Sequence, residues 1–267
     1  MIGYLASEAG RRVLGQVQVN LPFGLLQQYL PAVRQIGLRP EIYFSGTALD
    51  ALSPAEIEAV SRSFPEDSIT FHGPFLDLSP GAADERIRRV SAWRFGRVLD
   101  LVPLLRPRLI VFHAGYDRWR FNGEVELWLE SSLRTWTPLA RRAEDLSVRL
   151  ALENTFEEEP AILRRLLERI GSPAVGFCLD PGHAHIFSRV PALQWVEELG
   201  SALLEVHLHD NHRQADEHLP IGQGEIDFPA LFSGLRSKGL QPVLTLEPHC
   251  LEHLEPSLRA MERYLTG

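Results

Sequence analysis

The chain has 267 residues, of which 45% are apolar and 23% charged, and its formal net charge is −8. These proportions are typical of soluble globular proteins, and no stretch approaches the ~18 consecutive apolar residues of a membrane span. The acidic balance argues against a general affinity for nucleic acid, because that affinity relies on Lys and Arg. The first residues lack the long apolar region of a signal peptide, so we expect a cytoplasmic protein with no membrane partner.

Short β-branched or aromatic runs recur along the chain, and most are followed by a stretch of helical periodicity. The predicted strands are residues 15–21, 40–44, 68–74, 108–115, 149–155, 174–182, 203–211 and 242–249. The predicted helices include residues 24–36, 84–105, 125–145, 160–170, 192–199, 228–238 and 252–264.

This alternation predicts an α/β protein that forms a single (β/α)8 TIM barrel over residues 1–267. A Rossmann fold is disfavoured, because no Gly-rich phosphate loop follows an early strand. Residues 1–14 precede the first predicted strand and form either a plug or an extra turn. The two cysteines, Cys178 and Cys250, are expected to be free, buried thiols without a chemical role.

Metal-competent side chains stand at the carboxyl ends of six consecutive predicted strands. They are His72, His113, Glu153, Asp180, His207 and Glu247. Active sites of barrels lie at this end, where side chains from different strands converge. A single strand-end carboxylate is commonly a helix cap, but six such groups in register are costly unless cations neutralise them. The pattern therefore predicts a site for divalent metal ions.

Three further candidate ligands lie in the loops after these strands, namely His183, Asp216 and His218. Mixed imidazole and carboxylate ligands suit Zn, Mn, Fe or Co rather than Ca or Mg, and the imidazoles favour zinc or manganese. Nine ligands exceed the needs of one ion, so we expect one to three ions, with Glu153 as a bridging ligand. His209 points to the same strand face as His207 and is the alternative ligand there, although the motif register favours His207.

Seven motifs carry a resemblance to a known family. They are FHGPF at 71–75, FHAG at 112–115, LENT at 152–155, LDPGHAH at 179–185, VHLHDN at 206–211, DEHLPIGQGEIDF at 216–228 and LEPH at 246–249. Over about residues 15–265 the sequence resembles the xylose-isomerase-like TIM barrels. That superfamily groups sugar isomerases and epimerases, including sugar phosphate isomerases and epimerases, with the endonuclease IV class of DNA-repair phosphodiesterases.

The resemblance to the endonuclease group implies three metal-binding sets. His72 and His113 with bridging Glu153 would hold one ion. A second set would be Asp180, His207 and Glu247, and a third would be His183, Asp216 and His218.

The resemblance to the epimerases implies a smaller site with one ion, held by Glu153, Asp180, His207 and Glu247. Glu153 and Glu247 would then be the catalytic acid and base. Arg213, six residues after His207, and His183 would contact the substrate. A metal lowers the pKa of a C–H beside a carbonyl while a carboxylate moves the proton, which fits this division of roles.

Two enzyme classes remain open. The acidic composition, Arg213 and the short loop after the second strand favour a metal-dependent isomerase or epimerase of a small sugar, polyol or sugar phosphate. The complete ligand set favours the alternative, an endonuclease IV-like zinc phosphodiesterase acting on abasic DNA. A barrel that binds without turnover would lack the acid and base groups, whereas Glu153 and Glu247 are both present. The oligomeric state and the native metal are open at this stage.

Overall fold

The computed structural model describes residues 2–5 and 7–265. Eight parallel strands close into a barrel in the order β1 to β8, so the predicted (β/α)8 TIM barrel is confirmed. The strands are β1 (Gln18–Pro22), β2 (Pro40–Tyr43), β3 (Thr70–His72), β4 (Leu109–His113), β5 (Arg149–Glu153), β6 (Val175–Leu179), β7 (Leu203–Leu208) and β8 (Val243–Leu246).

Helices cover the outside of the barrel and connect the strands. They are α1 (Ile2–Leu5), α2 (Glu8–Leu14), α3 (Phe23–Ile36), α4 (Gly46–Ala51), α5 (Pro54–Ser63), α6 (Glu85–Leu99), α7 (Val102–Leu105), α8 (Val125–Asp145), α9 (Pro160–Ile170), α10 (Pro181–Phe187), α11 (Ala192–Leu199), α12 (Phe228–Ser237) and α13 (Leu251–Leu265). A short 3₁₀ turn, Gly200–Ala202, leads into β7.

The helix predicted over residues 84–105 is two helices in the structure, α6 and α7. Pro103 explains the break, because it has no N–H to donate and its ring clashes with the carbonyl of the preceding turn. The short helix α10 was not predicted. Asp180 caps it by accepting a hydrogen bond from the His183 N–H at 2.8 Å, and Pro181 occupies the first helical position, where a missing N–H costs little.

The barrel interior has an apolar floor and a polar upper part. Side chains alternate along a strand, so residues that share parity with His113 and Glu153 point inward. A small buried cluster of Leu109, Val111, Ala151, Cys178 and Val243 forms the floor. The larger apolar core lies outside the barrel, between strands and helices. Inward-pointing polar groups are therefore concentrated toward the carboxyl ends of the strands.

The amino-terminal segment, for which the sequence left a plug and an extra turn open, forms helices α1 and α2, and α2 packs against α13. Met1 and Ala6 lie outside the described residues.

Both cysteines are free, but Cys250 is exposed, so the expectation that both are buried is wrong for that residue. Within residues 2–5 and 7–265, no helix combines the length and hydropathy needed to cross a membrane.

Candidate metal centre

The predicted ligands converge at the carboxyl end of the barrel. His72, His113 and Glu153 are the last residues of β3, β4 and β5. Asp180 and Glu247 directly follow β6 and β8, and His207 lies in β7. His183 belongs to α10, whereas Asp216 and His218 lie in the loop after β7. The barrel closure thus gathers residues that are up to 175 positions apart in the sequence.

Glu153 is the centre of the first group. Its Oε2 atom lies 3.1 Å from His72 Nε2 and 3.3 Å from His113 Nε2. The three side chains offer ligand atoms that all lie within 4.8 Å of one another, as a shared ion requires. These are the three residues that the resemblance to the endonuclease group places around one ion.

The second predicted set is arranged differently from expectation. His207 Nδ1 lies 3.3 Å from Glu247 Oε1 and 3.4 Å from Glu153 Oε1, so it stands between the two predicted catalytic carboxylates. Asp180 Oδ2 instead lies 3.0 Å from His209 Nε2 and 3.4 Å from His183 Nδ1. Both histidines of β7 and its end therefore face the centre, and the choice of His207 over His209 as ligand stays a prediction.

Asp216 lies between the two histidines of the third predicted set. Its Oδ2 atom lies 3.1 Å from His218 Nε2 and 3.5 Å from His183 Nε2. The imidazole of His218 is fixed from two sides, because it stacks on His209 at 3.7 Å between ring centroids and its Nδ1 lies 2.9 Å from the Glu247 carbonyl oxygen. The loop after β7 thus carries its two candidate ligands to the edge of the barrel centre.

His209 reaches Asp180 because Gly182 leaves room for its ring. A Cβ atom built on Gly182 would lie 2.1 Å from His209 Cε1, which is a severe clash. This glycine within the DPGH motif is therefore required for the packing of the centre rather than for chain flexibility.

Two buried glutamates beneath the mouth were not predicted as site residues. Glu41 and Glu205 have no exposed surface. Glu41 Oε1 accepts a hydrogen bond from Asn20 Nδ2 at 2.8 Å, and its Oε2 lies 3.4 Å from His207 Nε2. Glu205 accepts a hydrogen bond from the Thr245 hydroxyl. Strand alternation could have identified both glutamates from the sequence. Every second residue of a strand points into the barrel, and Glu41 and Glu205 occupy such positions on strands that are otherwise mainly apolar or aromatic.

Charge pairing dominates the protonation of the centre. Burial raises the pKa of Glu153, but the neighbouring His113 and His207 outweigh it and hold that pKa well below its ordinary value. The pKa of Asp180 is lowered in the same way to about 2, because His183 and His209 outweigh its burial. Burial lowers the pKa of His183, but Asp180, Asp216 and Glu153 raise it well above its ordinary value. The lowered pKa values of Glu153 and Asp180 keep these two carboxylates ionised at neutral pH, as metal ligands must be.

The donor atoms fit a divalent ion. Both ring nitrogens of His207 and the Nδ1 of His209 are buried without a hydrogen-bond partner, whereas buried polar atoms normally have one. Ligands of this kind suit a transition metal such as zinc or manganese. Glu153, His207 and Glu247 would hold an ion together, with His72, His113, Asp180 and the third set as further ligands.

A cavity of about 1000 Å³ opens over this centre. Aromatic side chains form much of its wall near the mouth, namely Tyr43, Phe75, Phe156 and Phe187. Of the nine predicted ligands, Asp180 and His207 lie beneath the surface of the cavity and the others line it. No Lys or Arg is among the described residues that line this cavity.

The two predicted substrate contacts are placed differently. His183 lines the large cavity, as its predicted role requires. Arg213 lines a separate cavity of about 480 Å³, together with His185 and Asp227. Its backbone has a φ of 65°, and its N–H donates to Asn211 Oδ1 at 2.9 Å. Contact between Arg213 and a substrate at the barrel mouth stays a prediction.

Comparison with curated proteins finds relatives with and without a named activity. The chain is 28% identical over 235 residues to an uncharacterized protein of Methanocaldococcus jannaschii, covering 84% of this chain and 79% of that protein. It is also 28% identical over 189 residues to a probable endonuclease 4 of Mycobacterium leprae, covering 63% and 68% of the two chains.

Solved structures share the whole barrel. A D-tagatose 3-epimerase-like protein superposes with a TM-score of 0.81 at 25% identity, covering 94% of this chain and 97% of that one. A protein of Thermus thermophilus, soaked with ZnCl2, superposes with a TM-score of 0.79 at 27% identity, covering 94% and 98%. The family model for the xylose isomerase-like TIM barrel matches residues 37–265. On this match the chain belongs to the xylose isomerase-like TIM barrel family.

Proposed function

We propose that this protein is a divalent-metal-dependent isomerase or epimerase that acts on a small sugar, polyol or sugar phosphate by metal-assisted proton transfer. One observation carries the proposal: the carboxylates of Glu153 and Glu247 approach the same atom, His207 Nδ1, from two strands. Both carboxylates also line the large cavity. A substrate at this point would have one carboxylate at each side.

The proposed chemistry is a proton transfer between these two carboxylates and one carbon atom. A bound divalent ion polarises a carbonyl and its neighbouring hydroxyl, which lowers the pKa of the adjacent C–H. One carboxylate removes the proton from that carbon. Donation of a different proton to the opposite face by the other glutamate, in its carboxylic acid form, gives an epimer, whereas return of the removed proton to the neighbouring carbon gives an isomer. His113 and His207 hold Glu153 in its ionised form, which is the form that a proton acceptor must have.

The cavity wall favours uncharged substrates within this class. Phosphate groups are normally held by Arg, Lys or helix N-termini, and no described lining residue is Lys or Arg. The similarity to the D-tagatose 3-epimerase-like protein and to the zinc-soaked Thermus protein supports a carbohydrate substrate and a metal, respectively.

The proposal is tested by exchange of carbon-bound hydrogen in D2O. The protein loaded with Mn²⁺ or Zn²⁺ would be incubated with a panel of ketoses and inositol-type polyol ketones, and deuterium incorporation followed by NMR. We expect exchange at one carbon beside the carbonyl, its loss after chelation, and its loss in Glu247→Gln. Absence of exchange across the panel in metal-loaded protein would overturn the proposal.

A phosphodiesterase that cleaves abasic DNA is the second candidate, and a specific observation favours it. The third set, His183, Asp216 and His218, assembles at the edge of the centre, which supports a three-ion site formed by all nine predicted ligands. The similarity to the probable endonuclease 4 supports the same candidate. The net negative charge of the chain disfavours this candidate. The chain has 27 basic and 35 acidic residues, and DNA binding depends on cationic contacts to phosphates.

Metal counting separates the two candidates before any substrate is known. Elemental analysis of protein purified without chelator should give one ion per chain for the isomerase or epimerase and three for the phosphodiesterase. Cleavage of a duplex oligonucleotide with one abasic site, absent in Asp216→Asn, would establish the second candidate.

A further inference from the structure

The large cavity continues beyond the barrel mouth into an apolar groove. We call it the α3–α13 groove and define it by Leu21, Leu25, Tyr29 and Val33 on the β1–α3 side and by Leu251 and Leu254 on α13. None of the ligand residues of the centre belongs to it. The cavity therefore has a polar part at the strand ends and an apolar part between two helices.

The two parts are joined by one short segment of chain. Glu247 borders the centre, and the next residues, Pro248, His249 and Cys250, line the cavity as far as Leu251 in the groove. Each residue spans at most about 3.6 Å, so the groove begins no more than about 14 Å along the chain from Glu247. A single small molecule with a head and a tail can occupy both parts.

The size of the cavity also favours a ligand that occupies both of its parts. Pockets of roughly 300–1,000 Å³ bury drug-sized ligands, and this cavity has about 1000 Å³. A free hexose is much smaller than such a ligand and would occupy only the polar part.

The groove also exposes apolar side chains to solvent, and a bound apolar group would cover them. Leu25, Tyr29 and Leu251 are 46%, 53% and 60% exposed at its rim, whereas Val33 and Leu254 are buried at its floor. Contiguous exposed apolar surface beside a polar site commonly marks a binding groove. Because no described residue in the wall is Lys or Arg, the group that fits here is apolar and carries no anion.

We propose that the substrate carries an apolar substituent, such as an alkyl or aryl group, which binds in the α3–α13 groove while its carbohydrate part binds at the metal centre. This inference rests on the proposed function and narrows its substrate class to apolar derivatives of an uncharged sugar or polyol. The groove then contributes binding energy through burial of apolar surface, and the centre acts on the polar part.

The test compares two probes with the same head group. Binding of methyl β-D-glucoside and of octyl β-D-glucoside, the latter below its micelle-forming concentration, would be measured by calorimetry on the metal-loaded protein. We expect the octyl compound to bind at least about tenfold more tightly, because its added methylene groups are buried in the groove. In Leu25→Ser/Leu251→Ser this preference should fall below about threefold.

The matched control is Leu104→Ser/Leu127→Ser, which removes two leucines that are 49% and 47% exposed on α7 and α8, away from the groove. This control should keep the preference of the natural sequence. All four leucines are partly exposed, so their replacement is expected to preserve the fold; thermal unfolding of each variant checks this.

Each other outcome has a distinct meaning. Equal affinity for the two probes, or a preference that survives in the groove variant, would overturn the inference and leave the proposed function standing. Absence of deuterium exchange on the ketose panel in the metal-loaded protein would overturn the proposed function itself, whichever probe binds. Self-association that is lost only in the groove variant would assign the groove to a second copy of the chain and also overturn the inference.

Discussion

The mouth of the barrel and the layer beneath it both carry carboxylates, but these carboxylates face different surroundings. Glu153 and Glu247 border the large cavity, whereas Glu41 and Glu205 have no exposed surface and face other side chains of the barrel interior. His207 connects the layers, since its Nδ1 faces the mouth carboxylates and its Nε2 faces Glu41. This difference suggests a division of roles that can be tested: metal binding by the glutamates at the mouth and support of His207 by a glutamate in the layer below.

Replacement of Glu153 by Gln should have the largest effect, because it removes the carboxylate that faces His72, His113 and His207. We expect loss of bound metal and a decrease in deuterium exchange of about 10³-fold or more. Elemental analysis and NMR exchange rates measure the two effects. A variant that keeps full metal content and full activity would remove Glu153 from the centre and abolish the distinction between the layers.

Glu41→Leu tests the support role of the lower layer. A ligating histidine usually donates its other ring N–H to an acceptor, and loss of that acceptor costs about 10–100-fold in metal affinity. Glu41 Oε2, which lies 3.4 Å from His207 Nε2, is placed to become that acceptor when His207 Nδ1 binds an ion. We expect a loss of this size in Glu41→Leu, measured by competition with a chelator. Glu41→Gln should restore much of it, because its amide oxygen can accept from His207 Nε2.

The control for this pair is the thermal stability of the metal-free protein. If Glu41→Leu destabilises the metal-free protein as much as the metal-loaded one, or if Gln and Leu behave alike, Glu41 has only a packing role. A wild-type metal affinity in Glu41→Leu would make the same point.

Glu205→Gln should act on stability through pH rather than on metal binding. Burial and the nearby Glu41 raise the pKa of Glu205 well above its ordinary value of 4.5, so the folded protein holds a proton that the unfolded chain releases above that pH. The contribution of Glu205 to the free energy of unfolding is therefore complete below pH 4.5. It decreases as the pH rises from 4.5 toward the higher pKa that Glu205 has in the folded protein. Gln mimics the protonated acid, so its melting temperature relative to wild type should increase from about pH 5 to about pH 8. A constant difference would contradict a protonated Glu205.

Arg213→Ala should have the smallest effect. The residue is exposed and lines the smaller cavity, so the predicted contact with the substrate would be made from outside the mouth. We expect a rise in KM of a few-fold with unchanged metal content, measured by steady-state kinetics and elemental analysis. Loss of metal together with an unchanged KM would exclude the predicted substrate contact.

The sequence alone was sufficient to predict the barrel and the gathering of the strand-end residues. Strand and helix periodicities are local properties, and the carboxyl ends of parallel strands in a closed barrel must meet at one end. His72, His113 and Glu153 therefore come together as expected. Pro103 is a local signal for the break between α6 and α7, but it is not sufficient by itself, because α3, α8 and α13 continue through Pro31, Pro138 and Pro256.

The tertiary structure determined which side chains meet at the centre and where the cavities lie, which sequence periodicity cannot predict. Strand alternation places His207 and His209 on one face, but only the packed barrel shows His207 between Glu153 and Glu247 and His209 against Asp180 across Gly182. It also places Arg213 in another cavity and opens the α3–α13 groove beside the centre. These features depend on distances between segments far apart in the chain, and such distances are set by how helices and loops pack around the barrel rather than by any local pattern of residues.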